Sequence, residues 1–207
     1  MKKIISFILI LVMCVSAPFN VFAAESNSEL VIEENGSNSA IVKNNNITEI
    51  ITVIEDDTTV TVTILNENTG ITESIVRNKV TNVVYSTITG KEVTVNVPSN
   101  NGISLLSVTD YETHYLSYAE LRSIIGDNAS VTGLASLILT LVPGVNTVAN
   151  VVSMIATVVG GVATIAIPND SNHGFIVSTK VVKYYRGTTT NKHVYKRVTT
   201  ILSIEKY

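Results

Sequence analysis

Between Asn128 and Asn169 the chain carries no charged residue, and this run restricts the available folds more than any other feature. Pro143 and Gly144 divide it into two arms, Val131 to Val142 and Asn146 to Ile167, because a proline removes a helical hydrogen bond and a glycine leaves helical geometry easily. The expected product is an apolar helical hairpin over residues 131–167. Too little of such a segment is polar for it to face water all round, so it requires enclosure by protein or by lipid.

Length and composition separate these two environments only in part. The second arm, about 22 residues at 1.5 Å each, reaches about 33 Å as a helix, close to the ~30 Å hydrocarbon core of a bilayer. The first arm reaches only about 18 Å, which disfavours a pair of spanning helices. Asn146, Asn150, Ser153 and Thr157 form a polar stripe along the second arm that needs water or a partner. Ala149, Ser153, Thr157 and Gly161 recur every fourth residue, a ridge of small residues that another helix can approach closely.

Three readings follow. Both arms form the buried core of a soluble domain. Alternatively the hairpin is sheltered in the soluble form and enters a target membrane through Val151, Val152, Ile155, Val158, Val159 and Ile165. The third is a resident single-span protein, whose basic tail follows the apolar arm as the positive-inside rule requires.

The N-terminus has the three parts of an export signal: Lys2 and Lys3, the apolar run Ile4 to Val15, and a stretch ending in the small residues Val21 and Ala23. Cleavage is expected after Ala23, giving a secreted, extracellular protein. A lipoprotein reading with Cys14 as the lipidated residue is disfavoured, because Met13 stands where a small residue is needed. Removal of the signal removes the only cysteine, so the mature chain of about 180 residues forms no disulfide and depends on packing.

The mature chain is also a charge dipole along its sequence. From Ala24 to Val76 there are ten acids against one base, Lys43; from Ser171 to Tyr207 there are seven bases against one acid, Glu205. Residues 24–46 read as a polar flexible lead with a short strand at Leu30 to Glu33. Residues 47–102 read as an antiparallel β meander: Ile47 to Ile54, Thr58 to Leu65, Ile71 to Arg77, Val80 to Thr87 and Glu92 to Val97, with Pro98 to Gly102 as the closing turn. Residues 103–207 form a C-terminal domain. Ser117 and Glu120 make a capping box ahead of Leu121, Ile124 and Ile125, and Gly126 suits a left-handed stop, which predicts a short amphipathic helix. Phe175 to Arg186 and His193 to Ile204 predict a basic β-hairpin within residues 175–204. The fold class is α+β: meander, short helix, apolar helical hairpin and C-terminal β-hairpin.

In that last hairpin Lys180, Lys183, Arg186, Lys196 and Arg197 lie near Tyr184 and Tyr185, a mixture suited to anionic lipid or envelope polymer. Strands alternate faces, so part of this set is equally expected to solvate an edge or pair with the acidic N-terminal region. Nucleic acid is disfavoured as a partner by the export signal and the acidic first half. No nucleophile elbow, zinc-protease helix or phosphate loop is present. His114, His173 and His193 are scattered, and Asp56-Asp57 reads as a solvated hairpin tip rather than a calcium site. The chain is accordingly expected to be neither an enzyme nor a metal or cofactor protein.

The order of parts, with a Tyr-rich segment at Tyr111, Tyr115 and Tyr118 before the apolar hairpin and a Tyr/Lys strand pair at Lys183 to Arg186 after it, resembles the large secreted bacteriocins of the geobacillin type from Gram-positive bacteria. The absence of Trp and the few aromatics in the hairpin depart from that pattern. The resemblance implies antibacterial killing through the target membrane and transfers no functional residue. Its rivals are a non-enzymatic surface or matrix protein that binds a partner or self-associates, and a secreted immunity factor.

Overall fold

The computed structural model describes residues 30–95, 107–145, 147–188 and 191–207. The export signal, Asn146 and the Pro98 to Gly102 turn fall outside the described residues. From Leu30 the chain forms a seven-stranded antiparallel sheet whose spatial order is its sequence order. Its strands are β1 (Leu30–Glu34), β2 (Ser39–Asn44), β3 (Ile47–Glu55), β4 (Thr59–Asn66), β5 (Thr72–Asn78), β6 (Val83–Ser86) and β7 (Lys91–Thr94).

Alternation creates two unlike faces. On β4, Val60, Val62 and Ile64 are buried while Thr59, Thr61 and Thr63 point the other way. Register carries the pattern across the sheet, with Ile51 opposite Ile64 and Val62 opposite Ile75. The polar lead expected over residues 24–46 supplies β1 and β2 from Leu30 onward: Ala40 and Val42 are buried between polar neighbours, an alternation masked by the Ser/Asn/Glu composition. At the β3–β4 turn, Asp56 Oδ1 accepts from the backbone N–H groups of Thr58 and Thr59, and Oδ2 from Thr59 Oγ1. These bonds hold its carboxyl below the usual carboxylate range. Asp56 is thus engaged in closing the turn.

After the sheet come β8 (Ser107–Ser117), α1 (Tyr118–Ile125), β9 (Asn128–Ser130), α2 (Val131–Leu141), α3 (Val148–Val158), β10 (Thr164–Ala166), β11 (Gly174–Thr188) and β12 (Asn191–Lys206). The capping box forms as expected: Ser117 Oγ accepts from the Glu120 N–H at 3.3 Å and Glu120 Oε2 from the Ser117 N–H at 2.9 Å. Gly126 ends α1 with φ 89°, although ψ is −173°, so the chain leaves in an extended and not a left-handed helical conformation.

The first apolar arm is α2, but the second is not a single long helix. Only Val148–Val158 is helical; Gly160 and Gly161 then adopt φ of 80° and 73° and turn the chain back into β10, which pairs antiparallel with β9. An 11-residue helix spans about 17 Å. No helix among the described residues is long and apolar enough to cross a membrane. The C-terminal hairpin appears as β11 and β12, and β8 joins it in the order β12-β11-β8.

Every residue of α2 is buried, which a helix without a polar face requires. It packs on β3, β4 and β5 of the large sheet and against α1 and α3. In turn α3 rests on β1, β2, β3 and β12. One contiguous core runs from Ala40 to Ile204, so the boundary expected at residue 102 does not separate two cores. At the start of β11, a Cβ placed on Gly174 would lie 2.0 Å from the Leu116 carbonyl oxygen of β8, which only glycine tolerates. Gly174→Ala is expected to cost about 2 kcal/mol or more, read as a melting temperature lowered by several degrees; an unchanged melting curve would contradict this close approach.

Candidate functional site: an ionic seam at the helix turn and an open Tyr–Lys sheet face

Four of the six proposed membrane-contacting residues, Val151, Val152, Ile155 and Val159, lie in the core, and Val158 and Ile165 are half-buried against it. The stripe of Asn150, Ser153 and Thr157 faces solvent instead, with the Ser153 and Thr157 hydroxyls donating to the carbonyls one turn back. Gly161 is exposed as well, so most of the small-residue ridge faces outward and does not form the seam to α2. In the folded chain the helix pair offers its apolar residues to protein.

The turn joining these helices is held by side chains from both sheets. Arg77 on β5 donates through Nη1 to the Leu141 carbonyl at 2.8 Å and through Nη2 to Asn82 Oδ1 at 2.9 Å. Glu55 Oε2 accepts from the Gly144 N–H at 2.7 Å. Thr199 on β12 donates its hydroxyl to the Pro143 carbonyl at 2.7 Å and its N–H to the Gly144 carbonyl, also at 2.7 Å. Carbonyls at a helix C-terminus have no intrahelical partner, and here α2 receives one from a buried guanidinium.

Beside the turn, β8 lines the inner face of the small sheet with Asp110, Glu112, His114 and Leu116. Glu112 is buried and its carboxylate accepts from Arg197 Nη2 at 3.1 Å; Asp110 accepts from Lys183 Nζ at 3.1 Å. His114 Nε2, 3.7 Å from Glu112 Oε2, is buried with no hydrogen-bond partner among the described residues, and Arg77 Nε is likewise unpartnered. Burial pushes the His114 imidazole below its ordinary value; Glu112 opposes that shift while Arg197 and Arg77 reinforce it. Burial also lowers the Arg77 guanidinium, followed by repulsion from Arg197, with Glu55 opposing. The Thr179 and Thr199 hydroxyls donate to the Glu112 and Pro143 carbonyls. Among the described residues no group of three or more His, Cys, Asp or Glu is placed to hold a metal.

The opposite face of the same sheet is open. Tyr111, Thr113 and Tyr115 on β8 point outward, in register with Lys180, Ser178 and Ile176 on β11, which face Thr200, Ser203 and Glu205 on β12. Tyr111 and Tyr115 are 70% and 63% exposed. Tyr115 meets Tyr207 edge-to-face, and the Lys196 ammonium lies 5.9 Å from the centre of the Tyr184 ring. Of the basic residues expected on an anionic-binding surface, Lys180 and Lys196 share this face with Tyr184, whereas Lys183 and Arg197 point inward to the β8 acids. Tyr185 is half-buried opposite Val194, past a register shift. The Arg186 side chain lies outside the described residues. The cross-strand acids were legible only once β8 was known as a strand, since they sit about 70 or more residues from their partners in sequence.

A separate cavity of about 100 Å³ lies where Asn44 and Glu49 of the large sheet meet Ser130, Thr132 and Ala163. Thr132 Oγ1 donates to Glu49 Oε2 at 2.5 Å across it, and Asn44 Oδ1 is buried without a partner among the described residues.

The His114 shift has a definite sign. An imidazole whose folded pKa lies below its unfolded value of 6.5 takes up its proton preferentially in the unfolded chain, so stability falls as the pH drops below about 6.5 and stops falling for this group once the folded pKa is passed. The loss approaches about 1.4 kcal/mol per pH unit in that window. Chemical denaturation of the parent and of His114→Gln between pH 7.5 and 5 is expected to show a shallower acid loss in the variant; parallel curves would refute the assignment. No family model matches the chain, and no curated protein or solved structure matches it either.

Proposed function

We propose that the chain is an exported, non-enzymatic, bacteriocin-like protein that acts on the membrane of target bacteria, with its apolar helix pair held inside the soluble form and released at the target. The observation that carries this reading is the combination of a charge-free helix pair with a turn tied to both sheets by a few polar contacts. Arg77, Glu55 and Thr199 hold Leu141, Pro143 and Gly144. Apolar helices of this kind are stable in lipid once their backbone bonds are internal, so the enclosing sheets and not the helices themselves keep them out of it. The open face bearing Tyr111, Tyr115, Lys180, Tyr184 and Lys196 supplies the contact with an anionic envelope, through amphipathic rings and ammonium groups that sit well at a headgroup layer.

A second reading, a non-enzymatic extracellular protein that binds or assembles with no membrane step, is favoured by the uncharged centre of the outer face of the seven-stranded sheet. The two are separated by locking the turn. Val145 and Thr199 pair across an isolated parallel bridge, a spacing within reach of a disulfide. The Val145→Cys, Thr199→Cys protein, otherwise without cysteine after loss of the signal peptide, is expected to cause no dye leakage from phosphatidylglycerol-rich vesicles when oxidised. Leakage should return on reduction, at a level that falls with added salt. Equal leakage from the oxidised and reduced forms would remove the release step, and inactivity of the parent chain on all vesicles would favour the second reading.

A further inference from the structure

The outer face of the seven-stranded sheet is unusual for a surface open to water. Across β2 to β5 it consists of Ser39, Ile41 and Lys43, then Thr48, Ile50, Thr52 and Ile54, then Thr59, Thr61, Thr63 and Leu65, then Thr72, Ser74, Val76 and Asn78. Lys43 is its one charge, at the margin and already paired with Glu33 of β1 at 2.6 Å. Glu92 stands at the other margin, on β7 opposite Tyr85. None of the described helices or strands packs on this face, because α1, α2 and α3 all lie on the side of Ile51, Val62 and Ile75. Antiparallel faces meant for water carry Lys and Glu, whereas depletion of charge at the centre with charge at the rim is the composition of an interface.

Four of the eight hydroxyls on this face are already engaged within the sheet or its turns. Ser39 Oγ donates to the Ile51 carbonyl and lies 3.3 Å from Thr52 Oγ1. Thr63 Oγ1 donates to the Thr52 carbonyl, and Thr59 Oγ1 to Asp56. Thr87 Oγ1, at the far end of the same row, accepts from the Ser74 N–H. Groups bonded within the sheet lose little when water is removed, so covering them costs far less than covering free polar groups. What the centre of the face offers a partner is chiefly aliphatic: Ile41, Ile50, Ile54, Leu65, Val76 and the Thr methyls.

We propose that this face is the interface of a homodimer, in which two copies stack their seven-stranded sheets across a two-fold axis. Strands 4.8 Å apart with 3.3 Å per residue give the face a projected area of about 700 Å². Its accessible area is larger, which meets the ~800 Å² per partner of a stable interface. A two-fold axis brings the same patch against itself, and a patch with no central charge has no like charge to repel. Sheets stacked in this way lie ~10 Å apart with aliphatic side chains interdigitated. The dimer leaves the Tyr–Lys face of the small sheet untouched.

Sedimentation of the chain beginning at Ala24 tests this. The expected result is a dimer at about 100 µM. Thr63→Lys at the centre of the face should weaken it by at least about tenfold, without altering the circular dichroism spectrum or the melting temperature. Thr113→Lys, on the open face of the other sheet, should leave the dimer unchanged. If Thr63→Lys fails to fold, Thr52→Lys takes its place one strand away. A parent chain that stays monomeric at that concentration overturns the proposal. So does a dimer that both substitutions in the large sheet leave intact, and so does a monomer that instead sediments with cell-wall polysaccharide through Thr63.

Discussion

Complete enclosure of α2 is the constraint to which the remaining elements answer. A helix reading Val-Thr-Gly-Leu-Ala-Ser-Leu-Ile-Leu-Thr-Leu has no side that water accepts, and every one of its residues is buried. Fully burying a Leu or Ile contributes roughly 1.5–3 kcal/mol, so Leu134, Leu137, Ile138, Leu139 and Leu141 together form a large share of the apolar driving force. No single neighbouring element covers a helix on all sides. The seven-stranded sheet takes one side, α1 and α3 flank it, and the C-terminal sheet closes the structure through α3 and the turn. This explains why a meander with its own tight turns and regular register does not stand apart from the residues that follow it.

Enclosure creates a second requirement at the helix ends, where backbone groups lack partners. The N-terminus of α2 is served by Ser130 Oγ, which accepts from the Gly133 N–H at 3.0 Å. The C-terminus reaches the region where the two sheets converge, and there the Leu141 carbonyl takes a hydrogen bond from Arg77. A buried guanidinium needs further acceptors and opposing charge, and Asn82 and Glu55 supply them. Arg197, close enough to Arg77 to oppose its charge, is in turn balanced by Glu112. The ionic seam is thus a consequence of ending an apolar helix inside the protein. Beside it His114 Nε2 is buried with no hydrogen-bond partner among the described residues.

How far the sequence foretold this depends on whether a signal was local. The capping box at Ser117, the alternation of β4 and the stop at Pro143-Gly144 each depend on a few adjacent residues, and each appears where expected. The length of the second apolar arm did not follow from composition. Asn146 to Ile167 is uniformly free of charge, but Gly160 and Gly161 take positive φ and end the helix because β9 waits to pair with the returning strand. β8 failed to register for the opposite reason: its inner face carries Asp110, Glu112 and His114, which read as polar until Lys183 and Arg197 are placed opposite them. Burial of charge is decided by tertiary partners, and period-two patterns made of charged residues conceal a core-facing strand.

The same pairing changes the meaning of the charge dipole along the chain. Counted in sequence, the last third is strongly basic, yet Lys183 and Arg197 are neutralised by β8 and point away from solvent. What remains on the described open face is Lys180 and Lys196 against Glu205, among Tyr111, Tyr115, Tyr184 and Tyr207. Two ammonium groups attract an anionic surface only modestly at physiological ionic strength, whereas exposed rings add contact area that salt does not screen. Under the proposed function, contact with an anionic envelope would rest on these rings more than on charge. The acidic N-terminal half contributes its carboxylates to turns and to the helix clamp, as at Asp56 and Glu55, and leaves the centre of its own open sheet uncharged. The two sheets therefore enclose one core while presenting faces of different chemistry, aromatic and weakly cationic on one side, hydroxyl and aliphatic on the other.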